Sequence, residues 1–311
     1  MIPAPPRPAG RIMNEAFYRA VVAAGRAPSA HNTQPWRWRV NGGLLDLFAD
    51  HDRMAGVSDP DGRLTVISCG AALHHARLTL AAHGWRATVT RRPDAGDPTH
   101  LARLTIDGAA PVSPDTAELA RAIKRRHTDQ RPVTGRPIEP ATLQTIGDAF
   151  QAQRVHFGVL RPDQILALAV ATAGAASAGP ANAQWHAELA RWAGSDRIVA
   201  APDGEQLPAA SAESDRAATF AVLHGPADQA LDWLHVGEAL SAGALVAAGL
   251  GVSVLPFSAP IEHADAGRIL GRAIPELGSP YVMLRLGHHA TEADTPPTPR
   301  LPAAQTMESA G

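Results

Sequence analysis

The chain has a single cysteine, Cys69, and a single lysine, Lys124, among 311 residues. One thiol cannot close an intrachain disulfide, and thiolate metal sites need several. Charge of one sign is not in excess either, with 28 Lys and Arg against 30 Asp and Glu. Nothing here has the cationic bias of a nucleic-acid binder or a polybasic membrane-surface segment, so neither partner is expected. No run of about 18 apolar residues occurs, so no membrane-spanning helix is expected. Met1 to Gly10 is Pro-rich and has no apolar core segment, so it does not read as a secretory signal, and the expectation is a soluble, cytoplasmic protein. Gly-x-Gly-x-x-Gly behind a strand, a Walker loop and a Gly-x-Ser-x-Gly elbow are all missing, which removes Rossmann, P-loop and hydrolase readings. The pairs His74-His75 and His288-His289 are sequence neighbours, which do not converge on one metal from a helix or strand. The near-absence of Lys beside abundant Arg and Ala reads as composition bias.

What is present alternates helix and strand. Helical patterning runs from about Asn14 to Gly25, followed by strand-like Trp36–Val40 and Leu44–Ala49. A helix over Ile67–Gly84 leads to extended runs at Arg86–Arg91 and Leu101–Ile106. Pro111 to Pro114 breaks the chain, and Ser113 or Asp115 can cap a helix ending near Arg126. Two prolines make Arg131–Pro137 a loop. A helix over Pro140–Gln151 and a strand over Arg154–Leu160 follow, then helical segments over Pro162–Ser177 and Asn182–Ala193. Gly194–Asp215 reads as a long excursion. Thr219–Leu223, Val252–Leu255 and Tyr281–Leu286 read as strands around a long helix, Ala230–Leu250, that is apolar on most faces and so buried. The tail from Thr295 is Pro-rich and extended.

A faint internal repeat underlies this order. Gly70, Ala72, Leu73, Leu78, Ala81 and Gly84 match Gly237, Ala239, Leu240, Leu245, Ala248 and Gly251 without gaps, and two strands follow each copy. The expected division is an N-terminal half, 1–112, a C-terminal half, 113–294, and a tail, 295–311.

Four stretches can carry chemistry. Ala27-Pro28-Ser29-Ala30-His31-Asn32-Thr33-Gln34-Pro35-Trp36 is polar and Pro-bracketed. Its composition suits a helix-ending turn, and its hydroxyl, amide and backbone N–H groups suit a flat heterocycle with many donors and acceptors. Arg125-Arg126-His127-Thr128-Asp129-Gln130-Arg131-Pro132 reads as a cationic helix C-terminus or as an anion site, because guanidinium forks beside a hydroxyl fit a phosphate. Gly249 to Phe257 reads as a helix C-cap followed by a buried strand. Pro299-Arg300-Leu301-Pro302 holds an Arg that is by default solvated.

The first stretch resembles the signature loop of the nitroreductase family of FMN-dependent oxidoreductases, and the whole chain looks most like its Acg-type branch, in which two nitroreductase-like halves share one polypeptide. The resemblance implies an α+β nitroreductase-like fold, an intramolecular pseudodimer of two α/β halves with central, mainly antiparallel sheets flanked by helices. It implies that Pro28, Ser29, Ala30, Asn32 and Gln34 bind FMN. Arg126 and Thr128 match the first Arg and the Ser of the family's Arg-Arg-Ser-x-Arg phosphate segment. Gln130 stands where its last Arg is expected, and Arg131 is next to it. Leu255, Pro256 and Phe257 match the segment facing the flavin N5 side, and Arg300 the cation that closes over the phosphate. The loop occurs once and the Arg126 segment once, on opposite halves, which implies one FMN per chain. The implied activity is ping-pong hydride transfer from NAD(P)H through flavin N5 to a small electron-poor acceptor such as a nitroaromatic or quinone. No side chain is required as acid or base. The alternative is an FMN-binding or storage protein whose Gly194–Asp215 excursion lids the flavin. The resemblance leaves a monomeric pseudodimer and a homodimer both open.

Overall fold

The computed structural model describes residues 9–54, 59–128, 133, 136–165, 217–257, 278–288 and 298–309. Helix α1 (Ala9–Ala24) is followed by β1 (Trp36–Asn41), β2 (Leu44–Ala49), α2 (Arg63–Ala82), β3 (Trp85–Arg91) and β4 (His100–Ala109). After α3 (Pro114–Arg125), the same kinds of element recur as α4 (Pro140–Gln151), β5 (His156–Val159), β6 (Thr219–Gly225), α5 (Ala230–Gly249), β7 (Ser253–Phe257) and β8 (Ser279–Gly287), and β9 (Met307–Ser309) ends the described chain.

The helix ends have local causes. Ser113 Oγ accepts from Thr116 N at 3.1 Å, with Pro114 in the first turn of α3, as expected of a cap with a preset φ behind it. Gln229 and Asp232 form a capping box at the start of α5. Helix α2 begins earlier than its hydrophobic pattern suggests, because the buried Asp59 carboxylate accepts from Leu64 N and Thr65 N, each at 2.8 Å.

Two sheets result. The first has strand order β3-β4-β2-β1-β9 and the second β5-β6-β8-β7. Every pair is antiparallel except β1 with β9, which is parallel. Setting β9 aside and reading the second sheet from its other edge, third strand, fourth, second, first is the order in both. In each, the second and fourth strands pair through one register shift, at Leu47/Phe48 and at Leu223/His224. Pro256 falls on β7, an edge strand, where a missing N–H is tolerated. Helices α1 and α2 cover the first sheet over a core around Trp36, Trp38, Phe17 and Leu73, while α4 and α5 cover the second over Phe150, Ile146, Tyr281 and Leu284.

Helices α2 and α5 pack against each other between the two cores. A Cβ on Gly70 would collide with the Leu234 carbonyl, and one on Gly237 with the Ile67 carbonyl. The contact is reciprocal, each glycine meeting the residue three positions before the other, which is the signature of a two-fold relation. Further along, His74 Nδ1 lies 2.8 Å from Ser241 Oγ, and Leu78 and Leu245 share a small core with Ala122 and Ile123 of α3. Positions matched by the internal repeat therefore touch one another in succession, so the helices run in the same direction and α3 bridges their C-terminal ends.

The tail is more ordered than an extended segment: it makes a short 3-10 turn at Ala303–Gln305 and then β9, which joins the sheet of the first half. The expected helix from Pro162 is described only to Ile165, and Asn182–Ala193 and the Gly194–Asp215 excursion lie outside the described residues. No helix among the described residues is long and apolar enough to cross a membrane.

Candidate cofactor site

The loop after α1 is built from unusual backbone. His31, Asn32 and Gln34 all have φ near +50 to +57, a region that costs non-glycine residues about 1 kcal/mol or more each and persists only where surroundings impose it. The surroundings are visible. Ser29 Oγ accepts from Gln34 N and Ser68 Oγ from Ala30 N, both at 3.1 Å. The tail supplies the rest: Asn32 Nδ2 donates to the Pro299 carbonyl at 3.1 Å, Arg300 Nη1 donates to Asn32 Oδ1 at 2.6 Å, and Leu301 N donates to Gln34 Oε1 at 2.9 Å. Loop and tail, 267 residues apart in sequence, form one polar unit.

Arg126 joins it from the end of α3. Its Nη2 donates to the Arg26 carbonyl at 3.3 Å, just before the loop, and its Nη1 reaches Thr128 Oγ1 at 3.4 Å. The side chain is 9% exposed, and Nε is buried without a partner. Burial, then the charge of Arg300, pushes the Arg126 guanidinium down to about 10, and burial, then Arg26, lowers Arg300. Among the described residues no carboxylate pairs with Arg126 or Arg300. Buried arginine is normally paired, since an uncompensated buried charge costs several kcal/mol. Two mutually repelling guanidiniums with an unfilled buried N–H have the chemistry of an anion site.

His75 completes the cluster, and nothing in its sequence context marks it. It is fully buried on α2, with Nδ1 3.1 Å from the Ala23 carbonyl and Nε2 buried and unpartnered. Burial first, then Arg126, His74 and Arg300, hold its pKa well below the usual value, so it is neutral. Its neighbour His74 points the other way, to Ser241 on α5, and burial with Arg77 lowers it to about 4. Two adjacent helix positions thus serve different faces.

The sequence-predicted residues divide as follows. Ser29, Ala30, Asn32, Gln34, Arg126, Thr128 and Arg300 meet through the contacts above, and Pro28 begins the same loop. Leu255, Pro256 and Phe257 are half-buried on β7, with Phe257 edge-on to Phe220, and no hydrogen bond joins them to the loop, Arg126 or the tail. Gln130 and Arg131 lie outside the described residues.

A second buried charge cluster links the halves and is fully paired. Glu238 on α5 has no solvent exposure and accepts from Arg91 Nε at 2.8 Å on β3 and from Arg77 on α2, with His235 Nδ1 at 3.5 Å. Burial raises its pKa, but the His235 hydrogen bond and the charges of Arg91 and Arg77 outweigh that and hold it at about 2.

Comparison with known proteins gives this geometry a family. No protein-family model matches the chain. "Putative NAD(P)H nitroreductase Rv3131" of Mycobacterium tuberculosis strain H37Rv is 35% identical, the match covering 94% of this chain and 91% of that protein. "Putative NAD(P)H nitroreductase acg" of the same strain is 30% identical over 94% of this chain and 95% of its own length. Among solved structures, the FMN and NADPH-dependent nitroreductase NfnB of Sphigopyxis sp. strain HMH aligns with 62% of this chain and 99% of its own at a TM-score of 0.45 and 18% identity. With relatives this similar along nearly the whole length, the chain belongs to the nitroreductase family.

Proposed function

We propose that the protein is an FMN-dependent NAD(P)H oxidoreductase of the nitroreductase type, a fused pseudodimer that holds one FMN between its halves. The observation that carries the reading is the pair Arg126, buried, and Arg300, half-buried, cations with no carboxylate partner among the described residues, gathered on the Ser29–Gln34 loop. The donor set fits a flavin mononucleotide: guanidiniums for the phosphate, and Ser, Asn and Gln with strained backbone for the heterocycle and ribityl chain. Bound there, the flavin would supply hydride-transfer redox chemistry between NAD(P)H and an electron-poor acceptor.

The protein's own part is placement. Arg126, Arg300 and Thr128 anchor the phosphate end; Asn32 and Gln34 fix the loop against the tail so that its remaining polar groups keep one orientation. Positioning and local electrostatics supply the rate, and no side chain has to move a proton. Leu255, Pro256 and Phe257 are assigned to the N5 side on resemblance alone.

One observation supports one site per chain. The α1–β1 connection takes Gly25 to Pro35, whereas the matching α4–β5 connection takes only Ala152 to Val155, too short for a second loop. The shared strand order and the reciprocal Gly70–Gly237 contact support the fusion. The test is direct. Released-flavin absorbance should give about one FMN per chain, and anaerobic NADPH or NADH should bleach the flavin band within seconds. Yellow colour that only dithionite removes would overturn the reductase reading in favour of storage.

A further inference from the structure

His75 Nδ1 faces a backbone carbonyl, which only accepts, so Nδ1 carries the proton and Nε2 is left as a bare acceptor. Arg126 grips the same turn: Ala23 and Arg26 are one turn apart at the end of α1, and Arg26 N donates to that same Ala23 carbonyl at 3.0 Å. The imidazole and the guanidinium therefore dock side by side on the last turn of α1. Each keeps one buried atom unfilled, an acceptor at His75 Nε2 and a donor at Arg126 Nε. The charged groups around the ring are Arg126 at the end of α3 and Arg300 on the tail, with neutral His74 beside it on α2 and Arg26, just past α1, behind Arg300. No carboxylate faces it among the described residues.

A fully ionised phosphate fills the donor but offers nothing to a bare acceptor. A phosphate carrying one proton fills both. We propose that His75 is a positioning residue of the phosphate site and that its Nε2 shares one proton with the phosphate of bound FMN. This rests on the FMN reading above. The proton sits on a phosphate oxygen facing Nε2 or on Nε2 facing that oxygen; the count is the same either way. Burial first, and then the neighbouring cations, keep the ring neutral, and an incoming anion opposes that field.

A phosphate monoester has its second pKa near about 6, so above that pH free FMN is a dianion and binding must draw a proton from solvent. The affinity then falls about tenfold per pH unit, whereas a site that takes the bare dianion shows no dependence there. The experiment is titration of the apoprotein with FMN, followed by quenching of flavin fluorescence, at pH 6.5, 7.5 and 8.5, with calorimetry in two buffers of different ionisation enthalpy to count protons. The wild type should lose about a hundredfold in Kd across that range and take up about one proton, with riboflavin flat as the control lacking phosphate. His75→Gln, whose folding is checked by thermal melt, should bind FMN with a flat profile and no proton uptake. A flat wild-type profile, or a slope that His75→Gln retains, overturns the proposal; if neither His75→Gln nor His75→Asn folds, the wild-type proton count decides alone. Absence of quenching at every pH overturns the FMN reading itself, so the two failures are distinguishable.

Discussion

The first and second halves of the chain share a strand order and differ in one connection. Each sheet runs third, fourth, second, first, and each is covered by a helix pair whose inner members, α2 and α5, meet at Gly70 and Gly237. The first half spends Gly25 to Pro35 between its first helix and strand; the second closes the same gap with Ala152 to Val155. The scaffold is thus close to symmetric while the polar site is not. The two sheets keep separate cores that meet through α2 and α5, while the left-handed backbone at His31, Asn32 and Gln34 is matched in the short α4–β5 connection by Arg154 alone. The tail repeats the asymmetry: β9 covers the free edge of β1, with Glu308 paired to Arg37 at 3.1 Å.

The site side of this comparison gives the largest expected effect. Arg126→Ala with Arg300→Ala removes both cations proposed for the phosphate, each expected to be worth roughly 1.5–3 kcal/mol as a charge-assisted hydrogen bond. FMN Kd should rise by roughly 10² to 10⁴, read from flavin retained on gel filtration. A double variant that purifies fully loaded breaks the assignment. The same cations should be a burden to the empty fold, so Arg126→Leu should raise the apoprotein Tm while lowering FMN affinity.

The scaffold side comes next. Gly237→Ala puts a methyl group into the Ile67 carbonyl, a backbone atom that cannot step aside. Overpacking of this kind costs about 3 kcal/mol, or roughly 5 °C in Tm for a chain of this size. Because the contact lies between the halves, calorimetry should show one transition moved down as a unit. Two separated transitions would mean the halves are independent.

Glu238 tests the same joint by pH. Its folded pKa of about 2 lies below the ordinary 4.5, so its stabilisation is fully present above the unfolded value and is lost as pH falls from about 4.5 to about 2. The shift corresponds to about 3 kcal/mol. Urea unfolding of the wild type should weaken across that window, and Glu238→Gln should be weaker at pH 7 with the gap narrowing toward pH 2. A gap of constant size would remove the carboxylate as its cause.

How far the sequence foretold this depends on whether the cause was local. Helix α4 was legible to the residue because Pro140 presets its first turn, and the loop was legible because its residue order is distinctive. The start of α2 was not, since Asp59 supplies its N-terminal acceptors from outside the hydrophobic pattern. Strand β9 has three residues with no alternation to read, and its partner β1 lies at the far end of the chain. His75 was invisible for a similar reason: its partner atom, the Ala23 carbonyl, is on α1, the charges near it stand at the end of α3 and on the tail, and only packing brings them together.

The smallest expected effect probes the loop strain. Gly accepts φ near +50 at no steric cost but loses more backbone entropy on folding, two terms of similar size. His31→Gly (φ 50) and Arg154→Gly (φ 66) relieve matching strain, one in each half. Their effects on the stability of the apoprotein should agree to within about 1 kcal/mol, because the backbone gain is the same and neither site lies in a core. The FMN-loaded protein should separate them. His31→Gly loosens a loop that Ser29, Ser68 and the tail help to hold, so flavin should add less to its Tm than to that of the wild type. Arg154→Gly sits in the short α4–β5 connection and should leave that increment unchanged. Equal increments in both variants would mean that the left-handed turn at His31 is a consequence of chain closure and has no part in presenting the loop.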